Sequence, residues 1–394
     1  MHAIMGAFYG GGTHMASIAF NGVLLALSLY VIAICSKDFY IEKRKLFLSF
    51  FSVLMILYAL RMVLDVYTGP FSNLLPHSMM WNDVLQTVGG AFFPAWAMIA
   101  SRKYLDIQKI STGVFWAGAF ACFFIILSIR ANGLVQSIED DRLDVGGSLH
   151  SLALARIGAI EVLAAIHMLF NGKKNKLYYL IGLILGVFVS LASGARGAVF
   201  GVIAALAIYA IMSLRKKPAF LMISVIVIII AWVNFTNIIT WVGNYFPVVS
   251  YRMLETVKEG DLSNRDILYD MALDKIAENP LTGYGYRLKA DDTGYGPHNG
   301  ILDVFLCLGV PIGILFVIIT YGIGMLYSMR IMIDRRFVFP SMIAVFSIVS
   351  SLSASSLPAG NFDFALVFVG VAYYYHFGKI KQRSIQVPIR KEYV

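Results

Sequence analysis

A histidine and an asparagine stand side by side where a polar stretch of the chain meets an apolar run. His298 and Asn299 directly precede that run, which begins at Ile301, and a stretch rich in glycine and tyrosine comes before them. A neutral imidazole can take a proton from a hydroxyl group, and glycines beside aromatic residues suit a tight, closely packed loop. His298 is therefore a candidate general base. The alternative is a hydrogen-bonded structural histidine, which is the commoner role of a lone histidine.

A second segment places an arginine at the predicted start of a helix. Ser263-Asn264-Arg265-Asp266 reads as a capping box, and Pro280 ends the helical pattern that follows. The free N–H groups and positive dipole of a helix N-terminus, together with a guanidinium, suit a phosphate group. The alternative is that Arg265 only pairs with Asp266 or Asp270. The apolar residues of this predicted amphipathic helix share one face: Ile267, Leu268, Met271, Ala272 and Ile276.

A third segment places an arginine between two apolar runs that almost no loop separates. Arg196 follows Ser193-Gly194-Ala195 and so lies at the tip of a predicted helical hairpin, near the membrane surface. Arg156 and Glu161 lie inside the fifth predicted span. Ionisable residues inside a membrane are functional candidates, and they usually pair. The alternatives are that Arg196 is an interfacial anchor and that Arg156 and Glu161 form a structural ion pair.

The elements that must position these residues are membrane helices. Of the 394 residues 59% are hydrophobic and 14% are charged, and the mean hydropathy is +0.74, whereas about a quarter of a soluble domain is charged. Apolar runs of roughly twenty residues can cross a bilayer as helices. We predict an all-α polytopic membrane protein with about eleven (ten to twelve) transmembrane helices. The spans lie near residues 16–35, 46–64, 79–100, 111–129, 151–170, 177–193, 198–214, 219–240, 301–328, 337–357 and 363–378.

The distribution of Lys and Arg predicts how the chain crosses the membrane. Basic residues in one set of loops outnumber those on the opposite side by more than two to one, and basic loops face the cytoplasm. Residues 379–394 then lie inside, and the N-terminus and a loop at residues 241–300 lie outside. The chain (residues 1–394) is predicted to be a single integral membrane domain, and that outer loop carries the amphipathic helix.

The remaining composition excludes several other classes of site. The net charge of +9 is assigned to the cytoplasmic loops, so no nucleic-acid partner is expected. Cys35, Cys122 and Cys307 lie in or beside apolar runs and are too scattered for a disulfide framework or a metal site.

An ordered set of motifs resembles the O-antigen ligase and O-antigen polymerase family. The resemblance covers roughly residues 177–325 and rests on the order, spacing and common predicted outer-face placement of the motifs. Two features depart from the family: the turn at Arg196 keeps a single arginine, and eleven spans are predicted where ligases usually have twelve. The motifs are Ser193-Gly194-Ala195-Arg196-Gly197, Asn264-Arg265-Asp266, Asn279-Pro280-Leu281-Thr282-Gly283-Tyr284-Gly285, His298-Asn299, Leu302, Gly309 and Gly313.

The resemblance implies a metal-independent, inverting glycosyltransferase that acts on the periplasmic face of the bacterial inner membrane and needs no cofactor. Its donor would be a glycan on undecaprenyl pyrophosphate, and its acceptor another lipid-linked glycan or lipid A core. Membrane lipids and a chain-length regulator are the further expected partners. Arg196 and Arg265 would stabilise the leaving pyrophosphate, and His298 would accept the proton of the acceptor. The expected substrate-binding residues are Arg156, Arg252, Gly283, Tyr284, Gly285 and Asn299.

Two alternatives stay open at this point. A transporter or flippase of lipid-linked oligosaccharide would also use intramembrane charges, but it would not need a long outer loop with histidine and arginine near the membrane mouth. Within the family, a polymerase and a ligase differ in their acceptor. We favour a polymerase because the resemblance is confined to the C-terminal half and the arginine turn is reduced. A ligase is the alternative.

Overall fold

A computed structural model gives the fold for most of the apolar part of the chain. It describes residues 13–39, 46–70, 76–101, 106–132, 136–137, 142–143, 151–172, 176–214, 222, 226, 229–230, 233–246, 250–251, 253–254, 265–288, 297–332 and 337–352. Within these residues the regular elements are helices, apart from one antiparallel pair of two-residue strands, β1 (Gln136–Ser137) and β2 (Arg142–Leu143).

The helices follow the apolar runs of the sequence. In chain order they are α1 (Thr13–Phe39), α2 (Leu46–Thr68), α3 (His77–Thr87), a π-helical segment (Val88–Phe92), α4 (Phe93–Ala100), α5 (Ile107–Asn132), α6 (Ser151–Asn171), α7 (Lys176–Ala192), α8 (Arg196–Leu214), α9 (Phe235–Gly243), α10 (Arg265–Glu278), α11 (Gly300–Val317), a second π-helical segment (Ile318–Ile323), α12 (Gly324–Ile331) and α13 (Val338–Ser351).

The helices lie where the membrane spans are predicted, for the part of the chain that the structure describes. Every predicted span that falls within the described residues coincides with a helix, whereas the span at 219–240 falls partly, and that at 363–378 wholly, outside them. Among the described residues, and judged by length and composition alone, three stretches are long and apolar enough to cross a bilayer: Ile107–Ile129, Leu152–Asn171 and Gly300–Ile331. The all-α architecture is therefore confirmed for the described part of the chain, while the predicted count of eleven spans is not.

Helix α13 lies at the centre of the described bundle. It is buried on every side, as expected for a helix that is apolar all round. Ala344 and Ile348 join an apolar cluster with α2, α3 and α11, whereas Met342 and Phe346 join a second cluster with α5, α6 and α8. The two halves of the chain thus pack against one central helix.

The stretch Gly300–Val317 is a helical hairpin rather than one straight helix. Gly309 has φ 74° and ψ 171°, which are not helical values. A straight helix would separate Gly300 from Tyr321 by about 30 Å, yet an ideal Cβ on Gly300 would collide with the Tyr321 hydroxyl group, and one on Gly313 would collide with the Phe305 ring. The residues on either side of Gly309 therefore fold back on each other. The predicted single span at 301–328 is wrong in this respect.

Helices α5, α6 and α7 pack closely around a buried carboxyl group. Glu161 is fully buried (0% exposed), and an ideal Cβ on Gly118 or Gly182 would collide with its oxygens. Neither oxygen has a hydrogen-bond partner among the described residues. The expected ion pair between Arg156 and Glu161 is therefore not formed. Glycines on both neighbouring helices provide the space for this side chain.

The predicted amphipathic helix is present as α10 (Arg265–Glu278) and ends before Pro280 as expected. Ala272 and Ile276 are buried, and Leu268 and Met271 pack against them. Ile267 is 57% exposed, so its predicted place on the apolar face is wrong, because the buried stripe runs through positions 268, 272 and 276.

Candidate functional site

The turn that carries Arg196 is buried within the bundle. Ser193 Oγ donates to the carbonyl of Ser190 (2.7 Å) and accepts from the amide of Ala195 (3.3 Å). Gly194 has φ 70°, a left-handed conformation that glycine adopts without steric cost. Arg196 is half-buried and is the first residue of α8. The turn thus holds Arg196 at a fixed position within the bundle rather than at an exposed hairpin tip.

His298 has an unusual backbone conformation for a residue with a side chain. Its φ is 53°, and it alone among the described non-glycine residues has a positive φ. The side chain is half-buried. Asn299 follows as the N-cap of α11, where its Oδ1 accepts from the amides of Ile301 (3.0 Å) and Leu302 (3.3 Å). Asn299, which is expected to bind substrate, therefore uses its side-chain oxygen to cap the helix beside His298.

The order of contacts along α6 shows which end of α13 lies near the Arg196 turn. In the first half of α6, Gly158 packs against the backbone of Ser190, in the last turn of α7 before the Arg196 turn. Near the other end of α6, the His167 ring lies 5.6 Å from the ring of Phe339, at the start of α13. Ser351, the last residue of α13, therefore lies towards the end of the bundle that holds the Arg196 turn.

The same end of α13 receives the segment that carries His298. Gly300 packs against Ser351, whose Cβ and carbonyl oxygen would each lie 3.5 Å from an ideal Cβ on Gly300. Arg196 and His298 thus share one end of the bundle. Arg156 lies on α6 two positions before Gly158, is half-buried, and belongs to the same end.

The glycine- and tyrosine-rich loop is bound tightly to other parts of the chain. Arg61 of α2 donates to the carbonyls of Thr282 (3.0 Å), Gly283 (3.3 Å) and Tyr284 (2.9 Å). Asp65, one helical turn later, pairs with Arg61 Nε at 2.8 Å and accepts from the amide of Tyr286 at 2.8 Å. We call Arg61 and Asp65 the α2 clamp. It fixes the backbone of this loop to the N-terminal half of the chain.

A second ion pair holds the end of the same loop. Arg287 Nε donates to Asp83 Oδ2 of α3 at 2.9 Å, and the Tyr286 hydroxyl donates to the same oxygen at 3.2 Å. Burial raises the pKa of Tyr286, and the Asp83 carboxylate raises it further. Tyr286 therefore remains a neutral hydrogen-bond donor, and the loop is anchored on both α2 and α3.

The loop also packs on the fold of the α11 hairpin. Gly285 N donates to the carbonyl of Leu306 (3.0 Å), and Val310 N donates to the carbonyl of Pro280 (2.7 Å). Gly283 has φ 75°, and a Cβ there would lie 2.5 Å from the Leu306 carbonyl oxygen. These contacts lie about 10 Å along the helix from Gly300. The structure therefore does not bring Gly283 and Gly285 next to His298.

The other residues expected at the site are placed as follows. Tyr284 is half-buried, and Lys275 Nζ lies 5.5 Å from the centre of its ring. Arg265 begins α10, while Arg252 lies outside the described residues. Within the described ranges no group of three or more His, Cys, Asp and Glu side chains could hold a metal ion, and Cys35, Cys122 and Cys307 are buried free thiols.

Sequence reasoning missed the α2 clamp and Asp83. Arg61 and Asp65 are charged residues four positions apart inside or beside an apolar run, and ionisable residues in such a run are functional candidates. That signal was available. Their partners are not readable from the sequence, because the clamp bonds to backbone carbonyls more than two hundred positions away.

The segment that carries most of these residues is similar to a known protein family. Residues 181–317 match the model of a family described as O-antigen ligase, whereas no curated protein matches the chain. The matched segment includes the Arg196 turn, α10, the clamped loop, His298 and the fold at Gly309. It supports a ligase- or polymerase-type function in polysaccharide assembly, and with the apolar helices it indicates an integral membrane enzyme. Residues 181–317, about a third of the chain, are therefore similar to the O-antigen ligase family.

Proposed function

We propose that the protein is a surface-polysaccharide polymerase of the bacterial inner membrane. It transfers a glycan from undecaprenyl pyrophosphate to a sugar hydroxyl of another lipid-linked glycan at the periplasmic face. The observation that carries the proposal is the placement of His298, in its left-handed conformation, at the same end of the bundle as the buried Arg196 turn. A strained backbone at a candidate base favours a functional role.

In the proposed reaction the acceptor hydroxyl oxygen attacks the anomeric carbon of the donor. The bond from that carbon to the pyrophosphate oxygen breaks, its electron pair stays with the pyrophosphate, and the hydroxyl proton passes to the imidazole of His298. Attack from the face opposite the leaving group inverts the anomeric configuration. Pyrophosphate is a good leaving group, so it needs positive charge more than a protonating acid.

Arginines at two helix starts would supply that charge. Arg196 and Arg265 are the first residues of α8 and α10. The helix dipole places partial positive charge at the same points, and the free N–H groups of the first turn can bind phosphate oxygens. A bound pyrophosphate would therefore be attracted by side chain and backbone together. Arg156, on the same end of the bundle, is a further phosphate contact in this proposal.

The test is polymer formation by purified protein in lipid nanodiscs, supplied with undecaprenyl-pyrophosphate oligosaccharide in EDTA buffer. The wild-type protein is expected to form polymer. His298→Ala and His298→Gln are expected to be equally inactive, with rates about two to four decades lower, because glutamine cannot take the proton. His77→Gln, which changes an exposed histidine of α3, is the matched control.

Three results would contradict the proposal. Near-normal polymer from His298→Gln would make His298 a structural or substrate-positioning residue. Activity that is lost in EDTA and restored by magnesium or manganese would refute the metal-independent reaction. Movement of intact lipid-linked oligosaccharide across the membrane without polymer would indicate a transporter.

The choice between polymerase and ligase depends on the acceptor and is tested in cells. Deletion of a polymerase leaves single-repeat chains on the lipid A core. Deletion of a ligase leaves no glycan on the core, and lipid-linked polymer accumulates. Polymerase is proposed because the turn Gly194-Ala195-Arg196-Gly197 carries a single arginine; the second pattern in gels of extracted glycolipid would overturn that choice in favour of a ligase.

A further inference from the structure

Two hydroxyl groups meet at the residue that follows the His298-Asn299 pair. An ideal Cβ on Gly300 would collide with the Tyr321 hydroxyl, and this hydroxyl and Ser351 Oγ form a hydrogen bond of 3.1 Å. Ser351 Oγ also donates to the carbonyl of Ile348 at 2.8 Å. Gly300 is therefore seated against two polar groups whose own positions are fixed.

These groups come from elements that the hairpin at Gly309 brings back to the start of α11. Tyr321 belongs to the π-helical segment Ile318–Ile323, and Ser351 ends the central helix α13. Single-turn π-helical segments are rare and occur frequently at functional sites. Because Gly300 is buried and a side chain there would displace the Tyr321 hydroxyl, the contact depends on glycine at this position.

The contact bears on the conformation of His298. A left-handed φ is uncommon for residues other than glycine and persists only where the surrounding structure holds it. On the C-terminal side of His298, the Asn299 cap holds the helix start, and Tyr321 with Ser351 holds the next residue, Gly300. Backbone freedom at His298 is thus restricted from two consecutive positions.

We propose that Tyr321 and Ser351 are positioning residues for His298. Their hydrogen bond seats Gly300 and thereby keeps the imidazole where it can reach the acceptor hydroxyl. This inference rests on the proposed role of His298 as the base. Neither side chain takes part in the proton transfer itself, so their effect should be seen in the turnover rate rather than in donor binding.

The test uses Tyr321→Phe and Ser351→Ala in the full-length protein in nanodiscs. Tyr321→Phe keeps the ring and removes only the hydroxyl. We expect kcat to fall by about tenfold to a hundredfold, as for a small misplacement of a reacting group, with KM for the lipid-linked donor unchanged. Ser351→Ala should act in the same direction. Tyr209→Phe, half-buried on α8, and Ser350→Ala, buried beside Ser351, are the matched controls.

A double-mutant cycle separates this inference from the proposed function. If Tyr321 acts through His298, Tyr321→Phe should cause no further loss in a His298→Ala background, measured in single turnover at high enzyme concentration. The reactivity of His298 towards diethyl pyrocarbonate should also rise in Tyr321→Phe but not in Tyr209→Phe, a readout that needs no activity.

The other possible results contradict either the positioning role or the proposed function. Normal kcat in Tyr321→Phe, a change in KM alone, an equal loss in both backgrounds, or unchanged modification of His298 overturns the positioning role. Full activity of the single variant His298→Ala refutes the proposed function instead. Faster modification of His298 in Tyr321→Phe would then still support the structural link between the two residues.

Discussion

At the residue scale, Arg196 and Arg265 occupy positions that helix electrostatics disfavours. Each is the first residue of its helix, where the dipole is positive and acidic side chains are the stabilising choice. The first turn of α8 has no acidic residue, whereas Asp266 follows Arg265 in the first turn of α10. In the proposed reaction, the pyrophosphate is the anion that these two arginines and helix starts attract.

Removing either arginine should therefore abolish or nearly abolish polymer while protein levels stay normal. Arg196→Ala or Arg265→Ala each removes a contact to a group whose charge grows as the glycosidic bond breaks, which typically costs about 3–4 kcal/mol or two to three decades in rate. Lysine should rescue only partly, because a point charge cannot replace the planar fork. The measurement is the initial polymerisation rate at saturating donor.

The matched control is Arg330→Ala, which removes an exposed arginine from the last turn of α12. It should leave the rate unchanged. Normal rates from Arg265→Ala, with Arg196→Ala inactive, would assign the pyrophosphate contact to the buried turn alone and remove α10 from the proposed mechanism.

Residue types could be predicted at this scale, but their surroundings could not. His298, Arg196 and Arg265 stand out as polar residues at the ends of apolar or amphipathic runs. Tyr321 lies within an apolar run, where nothing in the sequence distinguishes it from a residue facing lipid. Only the fold at Gly309 brings its hydroxyl to Gly300.

At the element scale, the α11 hairpin shows where hydrophobic periodicity fails. Both arms are apolar, so Gly300–Ile331 reads as one long run. The run is broken at Gly309, which can adopt a positive φ because it has no side chain, and Pro311 lies just beyond it. A glycine within a predicted span has several ordinary explanations. The sequence could therefore predict helical arms but not that they fold back.

Replacing Gly309 should disturb the hairpin and the loop together. In Gly309→Ala the new methyl group would collide with the carbonyl of Leu281, and the backbone conformation at this position, which is essentially confined to glycine, costs a further 1–3 kcal/mol or so. We expect a lower Tm in detergent and faster proteolysis near the clamped loop. Gly322→Ala, where a Cβ would meet nothing within 4 Å, is the control and should leave both measurements unchanged. Equal Tm values for the two variants would argue against the hairpin.

At the scale of the whole molecule, the segment that matches the family depends on residues outside it. Residues 181–317 match the family model, yet Arg61, Asp65 and Asp83 lie in the N-terminal half and hold the loop that precedes His298. The N-terminal helices thus contribute to the architecture of the candidate site. No local pattern could predict this, because the partners are far apart in sequence and the contacts are to backbone groups.

The orientation of the whole molecule decides on which side of the membrane the candidate site lies. Arg196 and His298 share one end of the bundle, and the excess of basic residues predicts that this end faces outward.

The test replaces Lys258, in the loop at residues 241–300, or Lys381, in the C-terminal segment, by cysteine. Both positions lie outside the described residues. The described cysteines are buried, so background labelling should be low. A membrane-impermeant maleimide should label Lys258→Cys in intact cells and Lys381→Cys only after permeabilisation. The reverse pattern would place the arginines and His298 on the cytoplasmic side, away from a periplasmic donor, and the proposed mechanism would fail with it.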